Sequence, residues 1–209
     1  MSKHGRGRRG MAAQGLAAAV LALVTVSVLS PPLRAQTPPS PSASTATQER
    51  ARSLEALFKG LKEARGDDEA DEVVGRIWEV WTRSGRDDVD RIMEEGIGYL
   101  SIHQFGAAHD RFSDVIATAP DFAEAWNKRA TVLFLMSEHE RSLSDIEKVL
   151  ALEPRHFGAL AGRGMIHAHA GRWKEALDAY REALAVNPFL KERMTIVPEL
   201  ERRAGEKPL

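Results

Sequence analysis

A 34-residue period constrains this chain of 209 residues more than any other feature of its sequence. Proline recurs at Pro120, Pro154 and Pro188, and each interval is 34 residues. Because the residue before a proline avoids the helical region, each of these prolines predicts the end of a helix. A period of this length indicates one supersecondary unit that is repeated along the chain.

Further columns of residues keep the same register. Gly96, Ala130 and Gly164 form a column of small residues, which would let two helices approach closely. The other columns, which are mostly apolar, are Ile92/Trp126/Leu160, Tyr99/Leu133/His167, Phe105/His139/Trp173, Ala108/Ser142/Ala176, Phe112/Ile146/Tyr180 and Val115/Val149/Ala183. Large side chains that recur at helical spacing predict contacts between neighbouring units, with the Phe105 column opening the second helix of each.

This pattern resembles the tetratricopeptide repeat (TPR), with three units at 89–122, 123–156 and 157–190. The resemblance implies an all-α fold, an α-solenoid of stacked antiparallel helix pairs. Residues 49–88 are interpreted as a degenerate N-terminal helix pair, with helices near 48–65 and 69–83, because end repeats are usually atypical. Residues 191–209 are interpreted as a C-terminal capping helix or tail.

In the family, the first helix of each repeat lines a concave groove that receives peptides or partner helices. The resemblance places these residues on that groove: Met93, Ile97, Leu100, Glu124, Asn127, Thr131, Phe134, Ala161, Met165 and His169. The groove lacks the Lys/Asn arrangement with which family members clamp a terminal carboxylate. Gly158 is expected to keep the groove shallow, and alanine there is expected to stabilise the helix. Asp121 and Glu124 are expected to form a capping box at the start of the second unit.

The N-terminus is typical of an export signal. Residues 3–9 are rich in basic side chains, residues 11–29 carry no charge, and Ala35 follows as a small residue for cleavage. Residues 1–35 are therefore interpreted as a signal peptide of an exported bacterial protein of the periplasm or cell envelope. A retained membrane anchor remains open, because about 20 apolar residues can span a bilayer. Residues 36–48 are predicted to be a disordered Pro/Ser/Thr linker.

No pattern of catalytic or cofactor-binding residues is found. The chain has no cysteine, which removes thiol chemistry and cysteine zinc sites. His167 and His169 are two residues apart and so point to different faces of a helix, and no phosphate-binding loop is present. The whole chain has a net charge of -1, and segment 1–35 contributes five basic residues and no acidic one. The rest of the chain is therefore net acidic, which does not favour binding of nucleic acid.

The predicted function is a protein–protein interaction module of the cell envelope that binds a protein or peptide partner. It is predicted to be non-enzymatic, with no cofactor, no metal and no nucleic-acid partner. It would meet the membrane only through the N-terminal segment, if that segment is uncleaved. The alternative is a membrane-anchored regulatory or assembly subunit of an envelope complex that retains its N-terminal helix.

Overall fold

The computed structural model describes residues 41–205, with side chains from Thr47 onward. The predicted signal segment 1–35, residues 36–40 of the predicted linker and residues 206–209 lie outside the described residues. Residues 41–205 form ten helices and no β-strand. The helices are α1 (Pro41–Glu63), α2 (Asp67–Thr82), α3 (Asp87–Ser101), α4 (Phe105–Thr118), α5 (Ala123–Leu135), α6 (His139–Leu152), α7 (Phe157–His169), α8 (Trp173–Val186), α9 (Glu192–Thr195) and α10 (Val197–Ala204). Between residues 41 and 205, none of these helices is both long and apolar enough to cross a membrane.

Helices α3 to α8 form three successive pairs, α3–α4, α5–α6 and α7–α8, which confirms the predicted all-α solenoid. The second helix of each pair begins at Phe105, His139 or Trp173, the column that was predicted to open it. The turn before that helix is also repeated. His103, Ser137 and Gly171, one period apart, all have positive φ angles of 60°, 63° and 71°. This left-handed residue reverses the chain between the paired helices.

The column of small residues is explained by contact with the aromatic column. A Cβ atom on Gly96 would lie 2.6 Å from Cε1 of Phe112, and one on Gly164 would lie 2.7 Å from Cδ2 of Tyr180. These glycines therefore allow a large ring of the second helix to pack directly on the backbone of the first. In the middle pair, the Ser142 hydroxyl donates a 2.7 Å hydrogen bond to the Ala130 carbonyl oxygen. Ser142 can thus replace alanine without leaving a buried hydroxyl unpaired.

The N-terminal helices differ from the prediction in their bounds. Helix α1 begins at Pro41, within the segment 36–48 that was predicted to be a disordered linker, and α2 begins at Asp67. The prediction was wrong for residues 41–48. Proline is favoured at the first position of a helix, because its φ is fixed near the helical value and its missing N–H is not needed there.

The α1–α2 hairpin packs on a distant part of the solenoid. Its core contains Leu57, Leu61 and Ile77 of the hairpin together with Phe157 of α7, and Phe189 and Leu190 pack against the same core. Helix α2 also contacts α5. A degenerate N-terminal helix pair that continued the solenoid would pack on the neighbouring pair, α3–α4. Instead, α2 lies across the first helices of the second and third pairs, on the concave side.

The C-terminal helix α10 packs on the last helix of the three repeats, α8. Val197 and Leu200 of α10 are buried against Leu177 and Tyr180 of α8. Pro198 lies in the first turn of α10, where proline is tolerated, so the helix starts beside the proline.

Candidate partner-binding site

A cleft of about 400 Å³ lies between α2 and the first helices of the second and third pairs. We refer to it as the concave cleft. Its principal lining residues are Asp71, Val74 and Trp78 of α2, Asn127, Thr131 and Phe134 of α5, Gly158, Ala161 and Met165 of α7, and Phe189, Leu190 and Lys191 after α8. Most of this lining is apolar, and its polar side chains include Asn127, Thr131, Ser142 and Asn187.

Five of the predicted groove residues line the concave cleft: Asn127, Thr131, Phe134, Ala161 and Met165. Met165 is 45% exposed, and Phe134 is half-buried, so both offer apolar surface to a ligand. They come from α5 and α7, the first helices of their pairs. The structure thus brings together the part of the predicted groove that the second and third units contribute.

The three residues predicted from the first unit do not line this cleft. Met93 is only 1% exposed and lies in the core between α3 and α4 with Val89 and Phe112, so placing it on the groove surface was wrong. Leu100 packs against the same core, whereas Ile97 is exposed elsewhere on α3. Met93 sits three residues before Gly96, and both side-chain positions face α4, where the close approach of the helices leaves no groove.

Glu124 is neither a capping residue nor a groove residue. Phe122 occupies the cap position of α5, and no side chain caps the helix there. Glu124 is 1% exposed; its Oε2 accepts hydrogen bonds of 3.0 Å from Asn127 Nδ2 and from His156 Nε2, and Lys128 Nζ lies 3.1 Å from Oε1. The capping-box prediction was wrong, because this buried carboxylate accepts hydrogen bonds from the side chains of Asn127 and His156, and no side chain caps the start of α5.

Opposing effects act on the Glu124 carboxyl group. Burial raises its pKa, while the hydrogen bond from His156 and the charge of Lys128 lower it and prevail, so its pKa lies below the usual value. This buried carboxylate is therefore kept ionised by the hydrogen bond from His156 and by the nearby charge of Lys128.

His156 connects the repeats to the N-terminal hairpin. Its Nδ1 accepts a 3.1 Å hydrogen bond from the Ala159 N–H and so caps α7, which leaves the Nε2–H to donate to Glu124. The ring is fully buried and stacks on Trp81 of α2, with centroids 4.1 Å apart and planes 8° apart. The sequence contained one signal of this role: His156 stands one period after the buried Phe122, as a polar residue at an apolar position.

Trp78 occupies the space that Gly158 leaves open. A Cβ atom on Gly158 would lie 2.8 Å from Cη2 of Trp78. The ring also packs edge-on against Phe157 and His156, with centroid distances of 5.6 and 5.5 Å. Gly158 therefore does not keep an empty groove shallow; it accepts a side chain of the same protein. The structure therefore reverses the expectation for alanine at this position, which should now be destabilising.

His169 lies at the far end of α7 in an aromatic group. Its ring centroid is 6.1 Å from Phe134 and 4.7 Å from His139. It supports Phe134 from outside the concave cleft without lining it. Among residues 47–205, no three His, Asp or Glu side chains are placed to hold a metal ion.

Comparisons with known proteins agree with the repeat pattern. Residues 136–190 match the family described as tetratricopeptide repeat. A TPR repeat-containing protein of Rhizobium etli is 35% identical over 167 residues, which cover 79% of this chain and 80% of that protein. The Hsp70-Hsp90 organizing protein of Triticum aestivum is 29% identical over 99 residues, which cover 47% of this chain and only 17% of that protein.

Solved structures show the same fold. The first TPR of Spaghetti, bound to an HSP90 peptide, has a TM-score of 0.54 at 19% identity and covers 56% of this chain and 94% of that chain. The MamA protein has a TM-score of 0.52 at 15% identity and covers 74% of this chain and 84% of that chain. At these identities the likeness concerns the fold alone.

Proposed function

Because this chain belongs to the tetratricopeptide-repeat family, we propose that it is a non-enzymatic module that binds a peptide or helix of a partner protein in the concave cleft. The observation that carries this proposal is the apolar surface that α5 and α7 leave open beside α2, formed by Phe134, Ala161 and Met165. Binding of a peptide by a TPR in another protein, that of Spaghetti with an HSP90 peptide, supports it.

The cleft favours recognition of apolar side chains. Its volume of about 400 Å³ accommodates a few side chains of a bound peptide or helix. Lys191, which lines the cleft, is paired with Asp71, and Lys128, which follows Asn127 in the sequence, is paired with Glu124. A terminal carboxylate would therefore find no free cation beside Asn127, and the partner would be held by an apolar anchor against Phe134 and the adaptable side chain of Met165.

The proposed location is the periplasm or cell envelope, with the signal peptide cleaved after Ala35. The basic and then apolar order of residues 1–35 supports export. Under the alternative, the same segment stays attached as a membrane anchor of a regulatory or assembly subunit. N-terminal sequencing of the protein from fractionated cells distinguishes the two: a start at Gln36 supports cleavage, and a start at Met1 in the membrane fraction supports the anchor.

The partner-binding proposal is tested with Phe134→Ala/Met165→Ala in the full chain. Partners are captured by crosslinking from envelope extract, identified by mass spectrometry and then titrated as purified proteins. We expect the double variant to lose at least about tenfold in affinity, because removing a central anchor costs 2 kcal/mol or more. Asn127 is left unchanged, because its amide is bonded to the buried Glu124.

Leu135→Ala/Met194→Ala is the matched control. These side chains are 46% and 73% exposed and do not line the concave cleft. Both double variants must keep the helical circular dichroism of the parent. Equal affinity of the parent and Phe134→Ala/Met165→Ala for the purified partner would rule out the cleft as the binding site.

A further inference from the structure

Helix α2 contacts the concave face through one stripe of residues. Asp71, Val74 and Trp78 line the concave cleft, and Trp81 stacks on His156 beside it. These positions are separated by three, four and three residues, which places them on one side of a helix. Ala70 and Ile77 of α2 are instead fully buried in the apolar cluster that α2 forms with α1. Helix α2 thus packs on α1 through Ala70 and Ile77 and on the repeats through Trp78, while Trp81 contacts both Phe58 of α1 and His156.

The concave face is shaped to receive this stripe. Gly158 is the position on α7 where a Cβ atom would collide with Trp78. The ammonium group of Lys128 lies 5.8 Å from the centre of the Trp78 ring. In the proposed function, α5 and α7 form the surface that binds the partner. In this structure the same surface binds α2 of the same chain.

The acidic end of α2 faces a basic segment. Lys191 Nζ lies 2.8 Å from Asp71 Oδ2, and Arg193 Nη2 lies 2.6 Å from Asp67 Oδ1. Both carboxylates are more than half exposed, so each pair contributes little to stability and is weakened further by salt. The ionic attachment is therefore weak, and the buried contacts of α2 with α7 and His156 are made by the rings of Trp78 and Trp81.

We propose that α2 is an intramolecular occupant of the concave face, and that the partner is an amphipathic helix which carries the same stripe and replaces it. This proposal rests on the proposed function. The stripe consists of an acidic residue in or near the first turn, a branched apolar residue three positions later, and aromatic residues seven and ten positions later. Such a helix would pair with Lys191, fill the space beside Gly158 and stack on His156. The short loop 83–86 keeps α2 at a high local concentration, so a partner must compete with it.

The test uses a fluorescein-labelled synthetic peptide of residues 47–84, which contains the hairpin, titrated into the full chain by fluorescence anisotropy. The host chains are the parent and Trp78→Ala/Trp81→Ala. We expect the variant to bind the peptide with a Kd at least about tenfold lower than the parent, because its own α2 no longer competes. A peptide in which both tryptophans are alanine should bind the variant at least about tenfold more weakly.

Trp173→Ala is the matched host control, because Trp173 packs beside Arg203 at the other end of the third pair. It should bind the peptide as the parent does. Equal Kd values for the parent and Trp78→Ala/Trp81→Ala overturn the proposal, and so does equal binding of the peptide without tryptophan.

If Trp78→Ala/Trp81→Ala loses its helical circular dichroism, Asp67→Asn/Asp71→Asn serves as the host, since both substitutions are at exposed positions. It should bind the unmodified peptide about two- to fivefold more tightly than the parent, as loss of two exposed ion pairs implies. An unchanged Kd overturns the proposal. If the peptide binds as expected while Phe134→Ala/Met165→Ala keeps its affinity for the purified partner, α2 occupies the concave face but the proposed function fails.

Discussion

His156 occupies the same position in its repeat as Phe122, one period earlier, yet the two side chains have different roles. Phe122 is buried among apolar neighbours, whereas His156 caps α7, donates to Glu124 and stacks on Trp81. The pairing of His156 with Glu124 spans 32 residues and depends on how adjacent repeats stack. The sequence shows both residues but contains no local pattern that pairs them, which is why Glu124 was interpreted as a local cap.

Replacing Glu124 by glutamine should lower the free energy of unfolding by about 1–3 kcal/mol at neutral pH. Glutamine can still accept from His156, but it loses the charge that pairs with Lys128. Urea titration of parent and variant measures the difference. Because glutamine does not titrate, the pH dependence of the difference between parent and variant reports on the Glu124 carboxyl group.

The pH dependence of that difference has a definite sign. The pKa of Glu124 in the folded chain lies below the ordinary value of 4.5, so its contribution to stability is complete above that value. It should be lost as the pH falls through the lower folded pKa. The advantage of the parent over Glu124→Gln should therefore stay constant from about pH 7 to pH 5 and shrink below about pH 4. An advantage that already shrank between about pH 7 and pH 5 would contradict a buried carboxyl group with a lowered pKa.

Gly158 and Gly162 lie one turn apart on α7 and should respond oppositely to alanine. Gly162→Ala places its Cβ 3.5 Å from Ile146 Cδ1, an ordinary contact, and should gain up to about 1 kcal/mol from helix propensity. Gly158→Ala meets the Trp78 ring at 2.8 Å, and should cost about 1–3 kcal/mol through overpacking. Thermal unfolding of both variants measures the contrast. If both variants were stabilised equally, the ring of Trp78 would not occupy the space beside Gly158.

At the scale of elements, the repeat period was sufficient to place α3 to α8. Each column had a local physical meaning, because small residues, aromatic rings and left-handed turn residues recur where helices meet or reverse. The α1–α2 hairpin has no such period. Its tryptophans, Trp78 and Trp81, contact residues about 80 positions further along the chain, such as Phe157. Periodicity predicts contacts between neighbours, so it could not predict that α2 crosses to the concave side.

The candidate site was predictable to the extent that it follows from the repeat. Asn127, Thr131 and Phe134 on α5 and Ala161 and Met165 on α7 were placed by the family resemblance together with the repeat register, and they line the concave cleft. The wall that α2 contributes was missed, as was the burial of Glu124 beneath it. Both depend on the same long-range contact, which is set by the shape around Gly158 and by the stacking of Trp81 on His156.

At the scale of the whole molecule, this arrangement predicts two levels of stability. Helices α3 to α8 share continuous cores between successive pairs, whereas α1–α2 is joined to them by a smaller apolar contact and exposed ion pairs. The hairpin should therefore open as a unit while the repeats stay folded. Native-state hydrogen exchange measures this through amides such as Ile77 in α2 against Val132 in α5 and Ile166 in α7. We expect the opening free energy of Ile77 to lie at least about 1 kcal/mol below that of Val132 and Ile166, and to fall further in 1 M salt as the ion pairs of Lys191 and Arg193 are screened. A single opening free energy for all three amides, unchanged by salt, would show that the hairpin is an inseparable part of the solenoid and not a helix that a partner can replace.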